Sequence, residues 1–315
     1  MRVDALALGL AAVGRPAYIN LGRDQVLPRD RTVPAMRAVC WAVLDAAYEA
    51  GVRWVDAARS YGRSEQFLAE WLTERGYDDV TVSSKWGYAY VGDWRMDAPV
   101  HEEKEHSLTR FRRQWNRTRE LLGDRVSLYQ VHSLTADSPL FTDRPLVEAM
   151  AELAAGGVRL GFSTSGPKQG DTVRRALELT VQGQRLFGAV QATWNVLEPS
   201  VAPALAEATE SGVRVMLKEV LANGRLAVAP PGPVAELAAR YGVGPDAVAI
   251  AAASAQPWAD PETCLVLLGA AGPTQVKANL DALSVRLGEA DLAALTGLAT
   301  DPVDYWRRRS GLPWS

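Results

Sequence analysis

Short apolar runs alternate with amphipathic helical patterns along most of the chain, and this alternation limits the fold more than any other feature of the sequence. Runs near 5–10, 52–56, 80–84, 126–131, 158–163, 188–191, 213–218 and 264–268 read as eight strands. Helices are expected near 33–49, 63–75, 104–122, 143–156, 170–181, 200–211, 232–255 and 273–283. A strand that rejoins its sheet after a helix does so through a right-handed crossover, which makes the sheet parallel. Eight such units in about 250 residues is the size at which a parallel sheet closes. An open doubly wound sheet binding a dinucleotide would carry G-x-G-x-x-G after its first strand, and Gly9-Leu-Ala-Ala-Val-Gly14 has the wrong spacing. The expected class is α/β, a (β/α)8 TIM barrel with its site at the carboxyl ends of the strands.

Nothing divides the 315 residues, since Ala229-Pro-Pro-Gly-Pro233 is short enough to be a loop entering a helix. One domain over 1–315 is expected, with the barrel over about 5–285 and a C-terminal helix and tail over 286–315. A net charge of −3 gives no overall positive field for nucleic acid or an anionic membrane. Arg110, Arg112, Arg113, Arg117 and Arg119 fall opposite Leu108, Phe111, Trp115, Thr118 and Leu122, which is the pattern of a solvated helix face. Cys40 and Cys264 lie in apolar patterns and read as buried reduced thiols. The opening Met1-Arg-Val-Asp-Ala-Leu-Ala-Leu is better explained as a first strand than as a signal peptide, because Asp4 spoils the basic start. No run reaches the roughly 20 apolar residues of a membrane helix, and a cytoplasmic protein is expected. Oligomeric state is not readable from these residues.

Three strands end in chemically capable residues: Asp56 closes Gly51-Val-Arg-Trp-Val-Asp56, Lys85 closes Val80-Thr-Val-Ser-Ser-Lys85, and His132 closes Val126-Ser-Leu-Tyr-Gln-Val-His132. Tyr61 follows the first of these by five residues. Strand ends converge on one mouth of a barrel, so the four can meet although far apart in sequence. A nearby ammonium brings a phenol's proton closer to transfer, a carboxylate keeps that ammonium charged, and an imidazole can orient a substrate oxygen. The set has the parts needed to protonate a carbonyl oxygen. Taken singly, each residue has an ordinary structural role open to it, as a cap, a packed ring, a solvated charge or a satisfied histidine. His101-Glu-Glu-Lys-Glu-His106 is one residue too long for H-E-x-x-H, so its histidines point to different helix faces and no metal is expected; the stretch reads as a loop and helix start.

The run Asp56-Ala-Ala-Arg-Ser-Tyr-Gly-Arg-Ser-Glu65, the strand end Lys85 and Tyr129-Gln-Val-His132 resemble the aldo-keto reductase superfamily, whose pattern is D-x4-Y-G-x-S-E, then lysine, then histidine. The resemblance continues through Val158-Arg-Leu-Gly-Phe-Ser163, Val190-Gln-Ala-Thr-Trp-Asn-Val-Leu197 and Leu221-Ala-Asn-Gly-Arg-Leu226. It implies an NADP(H)-dependent oxidoreductase acting reversibly between an alcohol and an aldehyde or ketone. Tyr61 would then be the general acid, tuned by Lys85 and Asp56 and assisted by His132. The resemblance also implies that Ser163, Thr164 and Gln191 hold the nicotinamide carboxamide, with Thr164 standing where the family has asparagine. Trp194 would stack on the nicotinamide ring, Lys218 and Glu219 would flank the cofactor, and Leu221, Asn223 and Gly224 would cover the pyrophosphate. Gly269, Ala270, Gln275 and Asn279 would hold the adenosine end. Many relatives place a lysine and an arginine where Gly269 and Gln275 stand here, so NADH is the alternative to NADPH, with Lys277 the nearest cation.

Trp86, Tyr88, Trp94 and Trp306 are expected to line the substrate site, which would suit an aromatic or sugar-like carbonyl compound. The tail arginines Arg307, Arg308 and Arg309 read as a solvated terminus. The alternative function is a non-catalytic nicotinamide-nucleotide-binding sensor or regulatory protein on the same barrel.

Overall fold

The eight apolar runs become eight strands of one closed parallel barrel in the computed structural model, which describes residues 1–315. They are β1 (Leu6–Gly9), β2 (Trp54–Asp56), β3 (Thr81–Trp86), β4 (Val126–Leu134), β5 (Arg159–Thr164), β6 (Ala189–Thr193), β7 (Arg214–Lys218) and β8 (Cys264–Leu268). Each pairs with its sequence neighbours, and β1 closes the ring by pairing with both β8 and β2. β8 reads Cys-Leu-Val-Leu-Leu with every residue buried, as a strand covered on both faces requires.

The helices are α1 (Val33–Glu49), α2 (Ser64–Arg75), α3 (Leu108–Leu122), α4 (Arg144–Ala155), α5 (Gln169–Leu177), α6 (Ala202–Glu210), α7 (Arg225–Val228), α8 (Gly232–Tyr241), α9 (Pro245–Ser254), α10 (Pro273–Leu280), α11 (Glu289–Thr296) and α12 (Pro302–Ser310). α1 shows the logic of the ring. The Thr32 hydroxyl accepts from Ala35 N at 3.3 Å, Pro34 sits in the first turn where no N–H is missed, and Met36, Cys40, Val43, Leu44 and Ala47 recur at helical spacing on the buried side. A large apolar cluster fills the space between strands and helices. A second one of six residues, Ala7, Leu128, Ala189, Met216, Leu265 and Leu267, lies within the ring, with Met216 Sδ 4.0 Å from Gln191 Nε2.

Several expectations need correction. The single helix expected over 232–255 is two, α8 and α9, because Gly242 takes a left-handed conformation (φ 66°) and Pro245 starts a new helix. The helix expected from 104 begins at Leu108 behind a Ser107 cap, and Glu102–Lys104 is instead a strand paired antiparallel with Tyr88–Tyr90. On α3, Arg112, Arg113, Arg117 and Arg119 are exposed as expected, but Arg110 is buried and its Nε donates to Glu105 at 2.8 Å. Both cysteines are free and buried. No helix is long and apolar enough to cross a membrane.

Candidate active site

Alternation along a strand decides what reaches the barrel mouth. Consecutive side chains point to opposite faces, so Asp56, Lys85, Gln130 and Gln191 turn into the barrel and meet there. Asp56 accepts from Ser83 Oγ at 2.7 Å and Gln130 Nε2 at 3.1 Å through Oδ1, and from Lys85 Nζ and from Gln191 Nε2 at 3.3 Å through Oδ2. Lys85 has no solvent exposure and also donates to Ala57 O at 3.1 Å. A buried ion pair is tolerable only when its remaining lone pairs and protons are satisfied, and these donors do that.

Tyr61 sits on the turn after β2, held by close backbone approach. A side chain on Gly62 (φ 58°) would meet Gly14 O at 2.5 Å, and one on Gly14 would meet Tyr61 O at 2.4 Å, so both positions need glycine. Lys85 Nζ lies 4.9 Å from the Tyr61 ring centre, and the His132 ring stands edge-on to Tyr61 at 5.4 Å. The Tyr61 phenol's pKa lies above its ordinary value. Burial first, and then Asp56, push it up against the opposing charge of Arg15, while Lys85 is committed to Asp56. Tyr61 is therefore protonated at neutral pH. His132 is held well below the usual imidazole range by burial, then by Lys85, Lys218 and Arg15, so it is neutral. Its Nδ1 is 3.3 Å from Ser60 Oγ, and its backbone carbonyl accepts from His106 Nε2 at 2.9 Å.

One cleft of about 350 Å³ begins at this mouth and continues outward over β8 to α9 and α10. Asp56, Tyr61 and His132 line its inner end. Of the residues expected at a cofactor, Gln191, Lys218, Glu219, Leu221, Asn223, Gly224, Gly269, Ala270, Gln275 and Asn279 line its wall. Ser163, Thr164 and Trp194 do not. Ser163 Oγ accepts from Ser133 N at 2.8 Å, and Thr164 bonds Gln169 at 3.3 Å. Trp194 follows the inward-facing Thr193, faces away from the barrel interior and packs edge-on to Trp258 at 6.4 Å.

Only Tyr88 of the four expected substrate aromatics lines the cleft. Trp86 follows Lys85 and so points out of the barrel, where it is buried against Phe111 and His106. Trp94 donates to Arg31 O at 2.7 Å and packs on Phe67, and Trp306 is buried with its Nε1 3.4 Å from Glu198. Other side chains, not marked by the sequence, line the cleft instead. Arg15, 1% exposed, donates from Nη1 to Ser60 O at 3.0 Å and Glu102 Oε1 at 2.7 Å. Its guanidinium lies 4.5 Å from the Tyr18 ring, 4.8 Å from Trp314 and 5.2 Å from Tyr61. Arg309, expected in solvent, grips Glu219 with two nitrogens in the cleft wall at 3.1 and 2.5 Å. Burial pushes Glu219 up, but Arg309 and Lys218 outweigh it and hold its pKa at about 2. Lys218, which donates to Thr193 Oγ1 at 2.7 Å, is brought down to about 8 by burial, with Glu219 opposing. The long stretch between β1 and α1 carries no periodicity, so no sequence signal marked Arg15 or Tyr18; Arg309 differs from Arg307 and Arg308 only by the face of α12 it occupies.

The wall suits an extended dinucleotide. Asn223 Oδ1 is buried there without a partner, and nothing lies within 4 Å of where a Gly269 side chain would begin. No cluster of three His, Cys, Asp or Glu side chains is arranged to hold a metal ion; His101 instead stacks on Trp314 at 4.3 Å.

A family model described as "Aldo/keto reductase family" matches residues 34–300. A D-threo-aldose 1-dehydrogenase from Pseudomonas sp is 26% identical over 251 residues, which is 73% of this chain and 70% of that protein. An aldo-keto reductase from Strobilurus tenacellus is 29% identical over 188 residues, covering 58% of this chain and 51% of that protein. Among solved structures, the glycerol dehydrogenase of Gluconobacter oxydans superposes with a TM-score of 0.68 at 19% identity over 95% of each chain. An aldo-keto reductase from Bacillus halodurans gives 0.65 at 19% identity over 95% of this chain and 93% of its own. At such identities the two structures speak to the fold alone.

Proposed function

The chain belongs to the aldo/keto reductase family and is an oxidoreductase acting between carbonyl and alcohol, and from that premise we propose that Tyr61, Lys85, Asp56 and His132 carry the reaction at the inner end of a dinucleotide cleft. One observation carries the reading: the four groups converge where the cleft meets the barrel mouth.

A bound reduced nicotinamide would supply the two electrons and the hydrogen that the carbonyl carbon receives. Tyr61 would give the oxygen its proton, since the phenol is held in its protonated form. Lys85, fixed by Asp56, places a positive charge beside the phenolate that proton loss leaves. Neutral His132 would orient the substrate oxygen by hydrogen bonding. Gln191 would contact the cofactor at the inner end, Leu221, Asn223 and Gly224 along the middle, and Gly269, Ala270, Gln275 and Asn279 at the outer end.

The substrate wall of Arg15, Tyr18, Tyr88, Glu102 and Trp314 pairs charged hydrogen-bonding groups with aromatic faces, which suits a hydroxyl-bearing carbonyl compound. The Pseudomonas relative's name as an aldose dehydrogenase points the same way. Tyr61→Phe tests the assignment. Removing the proton donor is expected to lower kcat about 100- to 10,000-fold on an aldose or polyol panel, with the dissociation constant for nicotinamide nucleotide unchanged. Unchanged turnover would overturn it.

A further inference from the structure

The charges along the cleft are unevenly placed. Its lysines and arginines are Arg15, Arg23, Lys218 and Arg309. Arg15 is bound to Glu102 and Arg309 to Glu219, and Lys218 donates to Thr193, all toward the mouth. Arg23 spends its donors on the carbonyls of Ala12, Pro16, Arg15 and Ser315. At the outer end, formed by the segment after β8, by α10 and by the first turn of α9, the one ionisable group in the wall is the carboxylate of Asp246.

Asp246 is built into that end. With the Asn279 amide turned so that its nitrogen faces the carboxylate, it donates to Asp246 Oδ2 at 2.8 Å and to Gln275 O at 3.2 Å. Gln275 is committed in turn, its Oε1 accepting from Ala271 N at 2.7 Å. Lys277, on the same helix, is exposed and outside the cleft wall. Asp281 adds a second negative charge close enough to act on Asp246.

We propose that Asp246 makes this enzyme select NAD(H) over NADP(H), by accepting a hydrogen bond from an adenosine ribose hydroxyl and repelling a phosphate placed on it. The proposal rests on the reading of the cleft as a dinucleotide site and reverses the NADP(H) expectation drawn from the sequence. A carboxylate is a good acceptor for a ribose hydroxyl and is the group that reads the 2′-position in many dinucleotide sites. A 2′-phosphate there meets a like charge and finds no arginine or lysine to grip it. An acidic residue in the first turn of α9 is also favoured by the helix dipole, which accounts for an Asp at position 246 but not for its place in the cleft wall.

The test is isothermal titration of the whole protein with NAD+ and with NADP+, without substrate. NAD+ is expected to bind at least tenfold tighter, and Asp246→Asn, which keeps size and removes charge, to bring the ratio to within about threefold. Displacement of bound NAD+ by 5′-AMP and by adenosine 2′,5′-bisphosphate repeats the comparison on the unaltered protein, with 5′-AMP the better competitor. Equal or tighter binding of NADP+, an unchanged ratio in a folded Asp246→Asn, or better competition by the bisphosphate would overturn the assignment of Asp246 while leaving the dinucleotide reading intact. Binding of neither nucleotide would overturn both.

Discussion

Removing Asp56 is predicted to cost more than removing Lys85, and removing both to cost less than the two together. Asp56→Asn leaves the Lys85 ammonium without solvent and without a counter-charge, its acceptors reduced to neutral oxygens, Ala57 O at 3.1 Å and at most one amide oxygen. Stripping one partner from a buried pair typically costs about 3–5 kcal/mol. In a chain of 315 residues, about 4 kcal/mol lowers Tm by about 6 °C. Lys85→Met leaves a better situation, because the Asp56 carboxylate keeps Ser83 Oγ, Gln130 Nε2 and Gln191 Nε2 as donors. Its cost is expected to fall below that range, at about 2–3 kcal/mol, as for a buried charge that stays hydrogen-bonded. The double variant carries no stranded charge and should fall short of the summed single costs by about 2–3 kcal/mol. Urea unfolding followed by fluorescence of the ten tryptophans measures all four corners of the cycle. Additivity to within about 0.5 kcal/mol would refute the reasoning, since two groups bonded to each other cannot act independently. So would a Lys85→Met more costly than Asp56→Asn.

Other outcomes follow from the titrating groups. Glu219 has a folded pKa of about 2, below its unfolded value, so its contribution is present above about pH 4.3 and is lost as pH falls from there toward 2. Arg309→Met should flatten that part of the stability profile, and an unchanged acid limb would count against the Arg309–Glu219 grip. His106, brought down to about 4 by burial and Lys104, stays neutral in the fold. Below about pH 6.5 the unfolded chain takes up the proton first, so stability falls toward pH 4; His106→Gln should remove part of this slope in chemical denaturation. Lys218 gives the opposite limb: with a folded value near 8 and an unfolded one near 10.4, it makes stability rise with pH between those values. Lys218→Met should abolish that rise.

Much of the inner site was legible because strand parity is legible. Asp56, Lys85, Gln130 and Gln191 all face inward, so Lys85 and the two glutamines can reach the Asp56 carboxylate, and the motif around Tyr61 places the phenol beside them. The same rule excludes Trp86 and Trp194, which directly follow inward residues. The substrate wall was not legible for a different reason. Arg15, Glu102 and Trp314 come from a loop, a short hairpin and the tail, where no periodicity says which side chain turns inward. Aromatic content in those segments does not mark a site: Trp94 and Trp306, expected at the substrate, serve to fasten loops and α12 in place. The carboxylate of Asp246 is brought to the cleft by a helix break at Gly242, across which the sequence pattern runs as one continuous helix.

Arg15 lies between rings from opposite ends of the chain: Tyr18 follows it closely, while Trp314 arrives after all eight strands have been laid down. Backbone pairing between Tyr18 and Ser315, at 3.0 and 3.1 Å, ties the same two segments together. Contacts of such long sequence separation pay their loop-closure entropy late in folding. The substrate wall proposed above is thus a seam between the two ends of the chain, joined by contacts about as long-range as the β1–β8 pairing that closes the barrel. Inserting a flexible spacer between α12 and Trp314 should therefore open the seam, loosening the grip on substrate and making the tail an early site of proteolysis, while the parallel sheet and the Asp56–Lys85 pair stay intact.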